Sequence, residues 1–252
     1  MINPWDMGNR IVMVTGASSG IGRQTAILFS ELGAQVILVG RNTDKLTDTL
    51  NLMSGTGHVA EAFDLNDTDG IDRWFQGITD SVGPLHALVH CAGIQKTRPL
   101  QTLKSKTTDE IMRVNVHAGL ALARNFARKN TRDSAIVFVS GGVALVGQAG
   151  VAAYAASKGA VVAMTKSLAV ELAKDRIRVN CVCPGYIETE MLQKVRSNLT
   201  PDQFSVLERM HPLGMGRPVD VAYAIAFLVA DTGRWITGTA LIVDGGYTAT
   251  AH

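Results

Sequence analysis

The chain has 252 residues, 46% of them apolar and 18% charged, with a formal net charge of +2 at pH 7. That length suits one large α/β domain with a buried core, and the composition excludes a disordered chain. Near-neutral charge without any Lys/Arg run argues against nucleic acid or a membrane surface as partner. Residues 1–10 are polar and lack an apolar signal core, so no secretory or transit segment is expected, and the apolar stretches are too short to span a membrane. The three cysteines, Cys91, Cys181 and Cys183, stand in apolar strand-like contexts. They read as reduced thiols of a cytoplasmic protein, and with no His or second Cys pair beside Cys181 and Cys183 no metal site is expected.

In chain order, short β-branched apolar runs at 11–14, 35–39, 58–63, 87–90, 135–139, 178–182 and 240–243 predict strands. Amphipathic segments at 20–32, 44–53, 68–81, 107–129, 152–174 and 219–230 predict helices between them. Strands apolar on both faces belong in a parallel sheet covered by helices on each side. The alternation therefore predicts a doubly wound, Rossmann-type α/β sheet of about seven strands with right-handed crossovers. No linker or repeat divides residues 1–252, which read as a single domain. The long interruption at 188–218 reads as a substrate lid.

The first predicted strand runs into Thr15-Gly16-Ala17-Ser18-Ser19-Gly20-Ile21-Gly22 and then a helix. Glycines let the backbone turn tightly and approach a pyrophosphate, which then meets free N–H groups at a helix N-terminus. Gly16, Ser18, Ser19, Gly20, Ile21 and Gly22 are thus candidate dinucleotide contacts. An NAD site places an acid at the end of the second strand to hold the ribose 2′-hydroxyl. Here that place holds Gly40, followed by Arg41 and Asn42, and a planar guanidinium suits a 2′-phosphate. NADP(H) is favoured, with NAD(H) the alternative. Asp64 and Leu65, closing the third strand, flank the adenine on this reading, although Asp64 serves equally well as a strand-end cap.

Tyr154 and Lys158 stand four apart on one predicted helical face. A neighbouring ammonium favours phenolate, so the pair suggests a tyrosine able to exchange protons near neutrality. Together with Thr15–Gly22, with Asn115 in Arg113-Val114-Asn115-Val116, with Pro184-Gly185 followed by Thr189, and with Val243-Asp244-Gly245-Gly246, the pair resembles the short-chain dehydrogenase/reductase family. The resemblance runs from about Asn9 to Thr248, and is nearest to the 3-oxoacyl carrier-protein reductase-like members. It implies that Tyr154 exchanges a proton with the substrate oxygen. Lys158 is then implied to bind the nicotinamide ribose and lower the Tyr154 pKa, and Asn115 to hold a water that links Lys158 to solvent. The loop through Pro184, Gly185, Ile187 and Thr189 is implied to orient the nicotinamide. Thr189 also has the sequence of a helix N-cap.

Two positions depart from the family pattern. The segment after the fourth strand reads His90-Cys91-Ala92-Gly93 where paired asparagines are usual, so Cys91, Ala92 and Gly93 are expected at the adenosine pocket with one hydrogen bond fewer. The serine expected thirteen residues before the tyrosine is replaced by Gly141, and Ser140 precedes it. On an extended strand Ser140 points away from the site unless the backbone bulges. Ser140 is nevertheless carried as a candidate catalytic group, with Gln148 as substitute donor and with Val143 and Tyr186 in the substrate pocket. Of the basic positions that dock an acidic carrier in the reductase-like members, Arg132 matches and Asp175 does not.

These readings predict an NADP(H)-dependent oxidoreductase interconverting a small secondary alcohol and its ketone, assembled as a homotetramer. The alternative is a dinucleotide-binding sensor whose chemistry is impaired by Gly141.

Overall fold

The computed structural model describes residues 3–250, apart from the side chains of residues 130–132. Seven strands form one sheet: β1 (Ile11–Thr15), β2 (Gln35–Gly40), β3 (Val59–Ala62), β4 (Leu85–His90), β5 (Asn130–Val139), β6 (Ile177–Pro184) and β7 (Ala240–Val243). Their spatial order is β3-β2-β1-β4-β5-β6-β7, and every pairing is parallel. The order reverses between β1 and β4, so the crevice beyond their carboxyl ends is the place where such sheets bind ligands.

Strand alternation divides the core. Val12, Val14, Val36, Leu38, Val89 and Val137 face one layer, built on α1 (Gly20–Glu31), α2 (Thr43–Leu50) and α9 (Pro218–Val229). Met13, Ile37, Leu88, Ile136, Phe138 and Cys181 face the other layer, formed by α3 (Ile71–Val82), α5 (Ala118–Lys129) and α6 (Ala152–Leu172). Burial on both faces is why these strands read as continuous apolar runs.

Two expectations change. The helix predicted over 107–129 is three pieces: α4 (Ser105–Met112), a π-helical stretch Arg113–His117 and α5. The widened turn surrounds Asn115, and such bulges recur where a helix is locally reshaped for function. The 188–218 segment contains α7 (Glu190–Arg196) and α8 (Pro201–Arg209). Each starts on a threonine cap: Thr189 Oγ1 accepts from Leu192 N and Thr200 Oγ1 from Gln203 N. The side chain of Arg132 lies outside the described residues. No helix among the described residues is long and apolar enough to cross a membrane.

Candidate active site

Two clefts meet above the carboxyl ends of β1, β4, β5 and β6. The first is lined by the Gly-rich turn, the end of β2 and the loop after β4. Gly16 has φ +70°, and a Cβ on Gly22 would fall 2.3 Å from the Gly16 carbonyl oxygen, so both positions require glycine. Ser19 caps α1 without using its side chain, and the first turn carries no acid, which leaves its N–H groups to an anion. Ser18, Ser19, Gly20, Ile21, Arg41, Asp64, Leu65, Cys91, Ala92 and Gly93 line this cleft as expected from sequence. Arg41 is exposed, with no ion-pair partner among the described residues.

Asn42 does not line it. Its Oδ1 accepts from Lys45 N at 2.9 Å, making it the N-cap of α2 and correcting its assignment as a cofactor contact. Asp64 lines the cleft and also makes the strand-end cap, its Oδ1 accepting from Asn66 N at 3.0 Å.

The paired asparagines usual after β4 are replaced by a different brace. His90, buried, hydrogen-bonds Thr15 Oγ1 through Nδ1 at 2.9 Å, and Ala92 N donates to the same hydroxyl at 3.2 Å. This ties β4 to β1 at the switch point. Burial pulls the His90 pKa down to about 3, with Lys158 adding to the effect, so the imidazole is neutral. Cys91 borders both clefts, and burial pushes its thiol up to about 12, which leaves it an unreactive thiol.

The second cleft, a cavity of about 140 Å³, holds Tyr154 and Lys158 from the first two turns of α6. Lys158 Nζ lies 5.6 Å from the Tyr154 ring centroid and donates to the Val139 carbonyl at 2.8 Å. Burial lowers the Lys158 pKa to about 8. The expectation that its charge lowers the phenol is not met in the protein alone: burial, then Tyr186, pushes the Tyr154 pKa above its ordinary value. Desolvation by the surrounding side chains is the leading cause, and the neighbouring ammonium does not offset it.

Asn115 is placed beside Lys158 by the loop between them. A Cβ on Gly93 would lie 3.3 Å from Asn115 Oδ1 and 3.4 Å from Lys158 Nζ. The Asn115 amide is engaged with protein groups: Oδ1 accepts from Ile94 N at 2.8 Å, while Nδ2 donates to Ile94 O and Ser157 Oγ, each at 3.0 Å. Both amide hydrogens are used and one Oδ1 lone pair remains.

Ser140 requires correction. Ser140 lines the reactive cavity, but its hydroxyl is committed to the helix, donating to the Lys158 carbonyl at 2.8 Å. No bulge rescues it, because β5 pairs with β6 in regular register through Val139 and Ser140 N continues the ladder to Val182 O. Gly141 has φ 172°, ordinary extended backbone, and a Cβ there would sit 4.0 Å from the Tyr154 hydroxyl. The vacant serine position is therefore Gly141, and Ser140 is a structural residue.

Val143, Gln148, Tyr186, Pro184, Gly185, Ile187 and Thr189 all line the reactive cavity. Gln148 Nε2 is committed to the Tyr186 hydroxyl at 2.5 Å. Sequence reasoning missed His211 and Tyr247. His211 accepts from Tyr186 N through Nε2 at 3.1 Å and stacks on Tyr247, with ring centroids 4.8 Å apart. Tyr247 reaches the cavity because Asp244 accepts from Gly246 N, Thr248 N and Thr248 Oγ1, folding the end of the chain back over β6. The only sequence signal was the Asp244-Gly245-Gly246 turn that delivers it.

A dinucleotide crevice at the switch point of a parallel sheet, ending on a half-buried tyrosine and a buried lysine, defines a nicotinamide-type oxidoreductase. A family profile described as enoyl-(acyl carrier protein) reductase matches residues 16–248. The chain is 34% identical to the 3-oxoacyl-[acyl-carrier-protein] reductase of Thermotoga maritima, covering 94% of this chain and 97% of the relative. It is 36% identical to the cis-4-hydroxycyclohexanecarboxylate dehydrogenase of Sinomonas cyclohexanicum, covering 95% and 97%. Among solved structures, a short-chain type dehydrogenase/reductase of Mycobacterium marinum superimposes with a TM-score of 0.90 at 30% identity, covering 98% of each chain. A protein of Agrobacterium tumefaciens, provisionally identified as a 2-deoxy-D-gluconate 3-dehydrogenase and solved with bound NADP, gives 0.90 at 29% identity, covering 99% and 100%. The chain belongs to the short-chain dehydrogenase/reductase family and is an oxidoreductase acting on CH–OH groups.

Proposed function

We propose that the protein is an NADP(H)-dependent carbonyl reductase that interconverts a secondary alcohol and its ketone, with Tyr154 as the proton-exchanging group. The observation that carries this reading is the placement of Tyr154 and Lys158 where the two clefts join, with the unpaired Arg41 at the far end of the dinucleotide cleft. The glycine cradle and the unacidic first turn of α1 fit a pyrophosphate, and Arg41 fits a 2′-phosphate. The bound dinucleotide supplies the hydride.

The protein's residues do the rest. Lys158, held by the Val139 carbonyl, presents an ammonium that hydrogen-bonds a ribose hydroxyl and stabilises Tyr154 as it gives up its proton to the substrate oxygen. The spare lone pair of Asn115 Oδ1 faces Gly93 and Lys158, where it receives a water that returns the proton. Pro184, Gly185, Ile187 and Thr189 form the wall that orients the nicotinamide. Residues 188–218 act as the substrate lid. The protein works in the cytoplasm as a homotetramer on this reading.

The test is oxidation of NADPH and NADH against a panel of ketones, with Tyr154→Phe as control. Ketone-dependent turnover that prefers NADPH and is lost in Tyr154→Phe supports the reading. Tight dinucleotide binding with no turnover across the panel favours a sensor, consistent with the missing hydroxyl at Gly141.

A further inference from the structure

The reactive cavity opens into a larger vestibule of about 780 Å³. The two share Gln95, Gln148, Tyr186, Met191 and Val195 as a common rim. The volume lies within the range of small-ligand sites. Part of the vestibule lining is an apolar wall formed by Leu199, Val206, Leu207 and Met210, on α8 and the residues flanking it.

The opposite rim carries Lys96, Arg98 and Lys194, and no Asp or Glu lines either the vestibule or the reactive cavity. Lys96 is neutralised by Glu110 at 2.5 Å. Arg98 and Lys194 have no ion-pair partner among the described residues, so the vestibule holds two uncompensated positive charges.

Arg98 stands on a loop fixed at three points. Asn115 holds Ile94 by both its amide ends, Glu110 holds Lys96, and Arg98 N donates to the Gly150 carbonyl at 2.7 Å. The Gly150 contact joins this loop to the turn that starts α6, the helix carrying Tyr154. Lys194 approaches from α7, whose start is fixed by the Thr189 cap beside the dinucleotide cleft. The backbone segments that carry Arg98 and Lys194 are thereby held in place, while both side chains are exposed and the Arg98 guanidinium donates to the neighbouring Thr97 carbonyl at 2.8 Å.

We propose that Arg98 and Lys194 form an anion subsite and that the substrate is a ketone or secondary alcohol bearing a carboxylate or phosphate at the end remote from the reacting carbon. This rests on the carbonyl-reductase reading above. An anion entering a cation-lined, carboxylate-free vestibule is steered toward the mouth and held by charge-assisted hydrogen bonds. The apolar wall takes the carbon skeleton between the two ends.

The test compares matched pairs on the full-length protein: 4-oxocyclohexanecarboxylate against its carboxamide, and 5-oxohexyl phosphate against 6-hydroxyhexan-2-one. The first pair reports a carboxylate, the second a phosphate. For at least one pair, kcat/KM is expected to favour the anion by about tenfold or more, chiefly through KM, and the margin should shrink at high salt. Arg98→Gln and Lys194→Gln, both at exposed side chains, should each remove most of that margin while leaving the neutral partner unchanged. Calorimetric titration of the same compounds into the dinucleotide-saturated protein gives a readout independent of turnover. Charge-dependent binding that is lost in Arg98→Gln, without reduction of any ketone, retains the anion subsite and overturns only the carbonyl-reductase reading. Equal kinetics and equal binding of the charged and neutral partners in both pairs overturns the proposal.

Discussion

The hydroxyl of Ser140 donates to the main-chain carbonyl of Lys158 at 2.8 Å, joining the end of β5 to the helix that carries the reactive pair. The same strand turns Gly141 toward the phenol, with its absent Cβ 4.0 Å from the Tyr154 hydroxyl and 3.7 Å from Val143 Cγ1. Gly141→Ser therefore adds a hydroxyl beside the substrate oxygen without steric conflict or backbone strain. A rise in kcat approaching a hundredfold is expected, with little change in KM, because such a donor binds most strongly as charge develops. Ser140→Ala should leave kcat within about twofold and lower stability by about 1 kcal/mol, the net worth of one buried hydrogen bond. Steady-state kinetics and denaturant melts of the two variants check both halves. A large kcat loss in Ser140→Ala would show that the hydroxyl reaches the substrate after all.

Arg41→Asp should reverse cofactor preference. It removes the exposed guanidinium at the end of β2 and places an acid where a ribose 2′-hydroxyl is held in NAD sites. A shift of roughly 2–4 kcal/mol toward NADH is expected, read as the ratio of dissociation constants for NADPH and NADH by fluorescence titration. A wild-type protein that already prefers NADH contradicts the assignment of Arg41.

Burial lowers the His90 pKa from 6.5 to about 3. Between those values the unfolded chain binds a proton that the folded one refuses, so stability falls as pH drops below 6.5 and keeps falling toward 3. His90→Asn retains a hydrogen-bonding partner for Thr15 but cannot titrate, so its urea midpoint should change less between pH 7 and pH 4.5 than that of the wild type. Identical pH dependence in the two proteins would mean the buried imidazole is not an acid-sensitive element.

Lys158 presents the opposite trade. Its pKa is lowered by burial from 10.5 to about 8, so the folded state disfavours the ammonium and stability from this group rises with pH between those values. Lys158→Met fills the same space without a charge. It should raise the melting temperature at pH 7 while reducing turnover by at least about a hundredfold, since the burial that destabilises the cation also strengthens the action of its charge. A thermal melt and a progress curve on one preparation decide it.

The outer face of α6 exposes Ala152, Ala156, Ala163 and Val170, the last 81% exposed, interrupted by the exposed Lys166 and Ser167. Trp235 is 97% exposed elsewhere on the surface. Such faces are covered in symmetric assemblies. Light scattering at micromolar concentration should return a tetramer, and Val170→Glu should shift it toward smaller species; a mass near 26.9 kDa for the wild type refutes the assembly.

Sequence by itself determined what depends on local spacing. Continuous apolar runs alternating with helical segments specified the parallel sheet, the Thr15–Gly22 turn specified an anion cradle, and the four-residue separation of Tyr154 and Lys158 put both on one helical face. Even the fault at Gly141 was legible, because side chains alternate along a strand and a one-residue displacement reverses direction. What tertiary structure decided are contacts between residues far apart in the chain. Asn115 proved to hold the Ile94 backbone through a π-helical widening that its sequence does not announce. Asn42, adjacent to Arg41, spends its side chain on capping α2. Tyr247 reached the reactive cavity, with His211 stacked behind it, from segments with no catalytic motif. The Tyr154 phenol was pushed up where its lysine neighbour alone argued for down, because desolvation depends on everything that surrounds a group and spacing reports only its nearest companion on the helix.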